Sequence, residues 1–190
     1  MHLYCDIYSC IFTKYAYKNN KELLTLIAIK DVMKEVMMII EAIEESDLFK
    51  GASLEFMNEI GRIGEIRSFK RDAIICKANE KARYFFQLLE GQIDIMIAEK
   101  EIIHFTVNRP GEIFGWSALV EPYMYTATAK CKTDVRVVRI SRESLEKIII
   151  KYPADGLGIL RHLTSIISQR LRHAYLYIYN IRIDQKTDYR

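Results

Sequence analysis

RPGEIFGWSALVEPYMYTATA, residues Arg109 to Ala129, alternates between turns and short ordered pieces. Pro110-Gly111 is a turn signal, and Glu112-Ile113-Phe114 is a short extended run that ends at Gly115. Trp116-Ser117-Ala118-Leu119-Val120 has the residues of one helical turn, stopped by Pro122, and Thr126 onward returns to a strand. A glycine leading into a helical turn leaves backbone N–H groups without partners at one spot, where an anion can sit.

The flanking sequence has the texture of a β unit. From Ile63 to Ile140, short apolar or alternating runs are separated by turn residues: Ile66–Phe69, Ala73–Cys76, Tyr84–Leu89, Gln92–Ile97, Glu101–Val107, Ala127–Cys131 and Val135–Ile140. Strands this short and regular predict an antiparallel roll or barrel. Glu90-Gly91-Gln92 predicts a tight hairpin between two apolar strands, and Glu99-Lys100 predicts another.

These residues resemble the cyclic-nucleotide-binding domain, the sensor module of CRP/FNR-type regulators. The phosphate-binding cassette of that family reads roughly F-G-E-x-A-L, a short spacer, then P-R and a small residue. Here the frame is Phe114-Gly115-Trp116-Ser117-Ala118-Leu119, then Met124-Tyr125-Thr126-Ala127. Glu90-Gly91, Pro110-Gly111-Glu112 and Arg170-Leu171 also come in family order, so the resemblance runs from about Ser46 to Ile183. It implies a mainly β fold, a double-stranded β-helix or jelly roll with N-terminal helices and a long C-terminal helix. It places the ligand at Gly115, Trp116, Ser117, Ala118, Tyr125 and Thr126. The cassette is degenerate: the ribose-binding Glu falls on Trp116 and the phosphate-binding Arg on Tyr125. Thr126 matches a position that often donates a hydroxyl to the phosphate. Where the family has glycine in turns around its second strand, this chain has Asp72 and Asn79, the residue types that best tolerate positive φ after glycine.

Outside the roll the pattern is helical. From Lys21 to Glu45, Leu23, Leu26, Ile27, Ile29, Val32, Val36, Met37, Ile40 and Ile43 recur at spacings of three and four. Met33 offers an alternative start, since the resemblance begins just after it, and residues 1–32 are read as an extension. Ser46-Asp47-Leu48-Phe49 breaks the helix, and Ser53 caps a second with Leu54, Met57 and Ile60 on one face. Ser141 or Ser144 caps a helix to about Lys151, interrupted by Pro153. A longer helix runs from Ala154 to about Ile183. The predicted division is residues 1–45, an extension helical from about 21; 46–152, the roll; and 153–190, the long helix and tail. The apolar stripe of that helix, including Leu163, Ile167 and Leu171, needs a partner surface. The resemblance makes it the dimer helix of a homodimer. Packing back on its own roll is the alternative.

Composition narrows the classes. Half of the 190 residues are hydrophobic, 28% are charged and the net charge is +3, a globular composition with too little basic excess for a dedicated nucleic-acid binder. No apolar run approaches the roughly 20 residues of a membrane-spanning helix. Cys5, Cys10, Cys76 and Cys131 have neither zinc nor redox spacing, which points to a reducing, cytoplasmic setting. The histidines (His2, His104, His162, His173) are scattered, and no P-loop, nucleophile elbow or G-x-G-x-x-G is present, so no catalytic residue, metal or cofactor is expected. The winged helix-turn-helix of transcription factors of this type is not expected after the long helix, nor is direct DNA binding.

The expected function is a stand-alone regulatory or sensory domain with a small-molecule or nucleotide ligand, not binding cyclic AMP in the usual way. Tyrosine offers one neutral O–H where arginine offers a charged bidentate pair. The alternative is a ligand-free interaction module plugged by Trp116 and Tyr125.

Overall fold

The computed structural model describes residues 20–97 and 102–187. Residues 1–19, the Glu99-Lys100 turn and Glu101 lie outside the described residues. One antiparallel sheet has the order β1 (Glu65–Phe69), β8 (Val135–Ser141), β3 (Tyr84–Glu90) and β6 (Ile113–Phe114). The other has the order β2 (Ile74–Cys76), β7 (Thr128–Cys131), β4 (Ile93–Ile97) and β5 (Ile102–Val107). Strands that follow each other in sequence mostly fall in different sheets, which makes a roll rather than a meander.

The alternation in the sequence sets the facing. In β4, Ile93 and Ile95 are buried while Asp94 and Met96 are not. In β3 the run Phe85-Phe86-Gln87-Leu88 is buried throughout, because both faces of that strand are covered. Glu90-Gly91-Gln92 is not a hairpin between paired strands, since β3 and β4 belong to different sheets. The turn carries the chain from one sheet to the other. Gly91 has φ 99°, and a Cβ there would stand 2.3 Å from the Asp134 carbonyl oxygen, so only glycine fits. Asp72 and Asn79 adopt φ 67° and 66°, the backbone their residue types tolerate.

Among the described residues there are four α-helices besides the strands: α1 (Asn20–Glu44), α2 (Leu54–Ile63), α3 (Arg142–Lys151) and α4 (Pro153–Thr187). The chain divides into two units between Met38 and Ile39, inside α1 and ahead of the boundary read from the sequence. In the first unit Ile27, Ile29, Val32, Met33 and Met37 are exposed. In the second, Ile39 and Ile43 at the end of α1 join the core. The roll and α4 share this second unit, and everything below concerns it.

Ser53 caps α2 as expected: its Oγ accepts the Phe56 N–H at 3.3 Å. Phe56, Met57 and Ile60 are buried, but Leu54 is exposed, because the inward face begins two residues later than the spacing implied. Ser53 also donates its N–H and hydroxyl to the Asp155 carboxylate at 2.7 and 2.8 Å, tying the start of α2 to the first turn of α4. As expected, Pro153 separates α3, which ends at Lys151, from the longer α4, and it opens α4 at the position where a missing N–H loses no bond.

Candidate functional site

The cassette is built around two glycines. Gly111 (φ 83°) turns the chain into β6, and Gly115 (φ 68°) turns it out again into a four-residue 3₁₀ turn, Trp116–Leu119. At Gly115 a Cβ would lie 3.1 Å from the Phe86 ring, itself stacked on Phe114 at 5.0 Å, so tight packing adds to the backbone preference for glycine there. The turn is tighter than an α-helical one: the Ala118 N–H donates to the Gly115 carbonyl at 3.0 Å. That consumes one of the donors expected to face an anion. Ser117 is buried, and its hydroxyl stands 3.5 Å from the Thr126 hydroxyl.

Tyr125 is bonded within the roll. Its hydroxyl donates to the Tyr84 carbonyl at 2.6 Å and accepts the Tyr84 N–H at 3.3 Å. Its own N–H donates to the Glu80 carbonyl at 2.9 Å, and its carbonyl accepts the Asn79 N–H at 2.8 Å. Burial pushes the phenol up to about 12. Tyr125 therefore laces the β2–β3 connection to the cassette.

Between the cassette, the second sheet and α4 lies a cavity of about 300 Å³. Gly115, Trp116, Ser117, Tyr125 and Thr126 line it rather than fill it; Ala118 is buried in the core behind the turn. Its other walls are largely apolar, with Ile95, Phe105, Phe114 and Ala129 from the roll and Ile167 and Leu171 from α4. Cys76 also lines it, with burial pushing its thiol up to about 12, which makes it an unreactive small apolar residue.

Leu163, Ile167 and Leu171 thus turn toward their own roll. Leu163 is 3% exposed within the core, Ile167 and Leu171 border the cavity, and Leu171 stays 48% exposed.

The charge at the cavity comes from a residue that the cassette does not contain. Arg170 of α4 lines the wall, its guanidinium 4.0 Å over the Phe105 ring and its Nη2 donating to Glu112 Oε1 at 3.3 Å. Burial pushes Arg170 below its ordinary value, and the Glu112 carboxylate offsets only part of that. Burial also acts to raise Glu112, but the N–H groups of Arg109 and Asn108, each 3.1 Å away, and then the charge of Arg170 hold it below the ordinary carboxylate value. The Asn108 and Arg109 N–H groups hold Glu112 by Oε2, and Arg170 shares Oε1 with the Arg109 guanidinium, which donates to it at 3.4 Å. The sequence marked Arg170 only as part of a family helix; its spacing of three and seven from Ile167 and Leu163 was the signal that it shares their face.

A profile of the cyclic nucleotide-binding domain matches residues 66–152. A cyclic nucleotide-binding protein structure from Geobacter metallireducens is 30% identical, with a TM-score of 0.62 over 69% of this chain and 96% of that one. The chain belongs to the cyclic nucleotide-binding domain family. A domain of this kind from Methylobacillus flagellatus shares the fold at 19% identity, with a TM-score of 0.66 over 77% of this chain and 84% of that one. A lysophospholipase, NTE1, from Yarrowia lipolytica is 22% identical over 135 residues, which are 70% of this chain but 9% of the relative. At the cassette this domain has a positive-φ Gly115, a 3₁₀ turn and a buried Ser117. Among the described residues no helix is long and apolar enough to cross a membrane.

Proposed function

We propose that this domain is a regulatory sensor of a small molecule other than a conventional cyclic nucleotide. One observation carries the reading: the cavity stands open, yet the residue at the phosphate-arginine position is bonded to Tyr84 instead of facing a ligand. A plugged interaction module is less well supported, because Trp116 and Tyr125 form walls of the cavity and leave its volume free. Filling the space presses on Ile167, Arg170 and Leu171 together, so occupancy is read out by α4. No catalytic role is assigned; the lysophospholipase relatives match over a small fraction of their length. The buried Cys76 and Cys131 fit a reducing cytoplasm. A homodimer through α4 rests on Leu157 and Leu160, each 51% exposed and outside the cavity. Leu160→Glu lowers the mass in light scattering if that surface is used.

The test is thermal unfolding with cyclic AMP, cyclic GMP, cyclic dinucleotides and phosphate. Emission of Trp116, the single tryptophan, is followed at the same time. Compounds bound by the folded state raise Tm in proportion to ln(1 + [L]/Kd). The expected result is no shift at millimolar nucleotide. A saturable rise with cyclic AMP, matched by a change in Trp116 emission, overturns the reading.

A further inference from the structure

We infer that the cavity takes a small carboxylate with an apolar body, its charge held by Arg170 on α4 rather than by the cassette. This rests on the sensor reading above.

The first argument is the distribution of polarity. Among the described residues lining the cavity, Arg170 is the one with a charged side chain. The rest of the surface is aliphatic, aromatic or sulfur, apart from the hydroxyls of Ser117 and Thr126 and the already bonded hydroxyl of Tyr125. A nucleotide brings a ribose and a base edge whose polar groups need partners, and burying them unpaired is unfavourable. A ligand with one anionic end and an apolar remainder leaves no such groups behind.

The second argument is the state of the guanidinium. Arg has five N–H donors in a planar fork. Here the group lies over Phe105 at 4.0 Å, and one bond, to Glu112, is its hydrogen bonding among the described residues. The contact with the ring face uses none of the N–H donors, so the rest of the fork is left for a ligand. That geometry suits the two oxygens of a carboxylate, which can accept side by side.

Size sets the body of the ligand. An apolar cavity of roughly 150 Å³ accepts one benzene ring. A volume near 300 Å³ fits a ring with a short acid chain, or an acyl chain of similar bulk.

The binding also has a built-in consequence. The incoming carboxylate competes with Glu112 for the same guanidinium. Glu112 keeps its bonds from the Asn108 and Arg109 N–H groups, so it tolerates the loss. The ligand thereby loosens the contact that joins α4 to the Pro110-Gly111 turn, and the charge that recognises it is the one that moves.

The test uses the full chain with 3-phenylpropionate and its neutral amide, titrated against Trp116 emission and Tm. The acid should bind ~10- to 100-fold more tightly than the amide, the worth of a charged hydrogen bond or two. Arg170→Met should abolish that difference. Glu112→Gln should tighten the acid several-fold by removing the competitor, whereas a merely structural Glu112 predicts weaker binding. Equal binding of acid and amide by the unmodified protein overturns the inference and leaves the sensor reading intact. Binding of neither overturns it as well, and a Tm rise with cyclic AMP then removes the sensor reading too. The comparison of acid with amide and the Glu112→Gln variant do not depend on Arg170→Met folding.

Discussion

On the roll side of the cavity most polar groups are already bonded within the chain, whereas on the α4 side a guanidinium keeps donors to spare. Tyr125 binds Tyr84, the Ala118 N–H binds Gly115, and Ser117 faces Thr126. Arg170 has a stacking partner and one weak bond at 3.3 Å. The difference shows how a cassette can keep its shape after losing its charge. Shape is held by glycine backbone and aromatic packing, which do not need a ligand. Charge can be supplied from any element that reaches the same space.

The largest expected effect separates the two faces of α4. Leu163 is 3% exposed and Leu171 48% exposed. Leu163→Glu buries an unpaired charge in the core, and should lower stability by about 3–5 kcal/mol in urea unfolding, enough to leave little folded protein. Leu171→Glu should fold with a change below about 1 kcal/mol, while altering ligand response at the cavity wall. A Leu163→Glu protein that stays folded and merely becomes monomeric would break the comparison, by showing that this face serves a partner and not the roll.

Tyr125→Phe sharpens it from the other side. Removing the hydroxyl leaves the Tyr84 carbonyl without its 2.6 Å donor, so stability should fall by about 1–2 kcal/mol. Any ligand-induced rise in Tm should be unchanged. If Tyr125→Phe instead leaves stability intact and abolishes binding, then Tyr125 is a ligand contact and the roll side is not closed to the ligand.

The frame of the fold was legible because it depends on local signals. Alternating runs give the strands, Ser53 gives a cap, and Asp72 and Asn79 give turns with positive φ. What the sequence did not disclose depended on residues far apart in the chain. That Glu90-Gly91-Gln92 joins two sheets, and does not close a hairpin, follows from β8 and β7 taking the pairing positions. Leu54 faces out because α2 is oriented by Phe56 and by the Ser53–Asp155 link, which spans 102 residues. The cassette positions were readable by alignment of motif, but their roles were not. A tyrosine in place of an arginine reads as a lost contact, and only the position of Tyr84 shows that it gains another. Arg170 was visible as a helix residue; its place at the cavity needed the register of α4 on the roll.

The smallest effect concerns Glu112, the residue through which the two sides touch. Its folded pKa is depressed below the ordinary 4.5, so its contribution is fully present above that value and is lost as pH falls through the folded one. Glu112→Gln has no such titration. The stability gap between the natural protein and the variant should be flat, at about 1 kcal/mol or less, from neutral pH to about 5. It should close as the pH drops below 4.5. Other carboxylates with lowered values, such as Glu65 and Asp134, titrate in both proteins and cancel in the difference. Were the gap to stay constant down through the acid range, the N–H groups of Asn108 and Arg109 would be holding a neutral side chain equally well, and the charge of Glu112 would not be what tethers Arg170. Arg170 would then be held by Phe105 alone, and the competition that couples ligand to helix would have no second party.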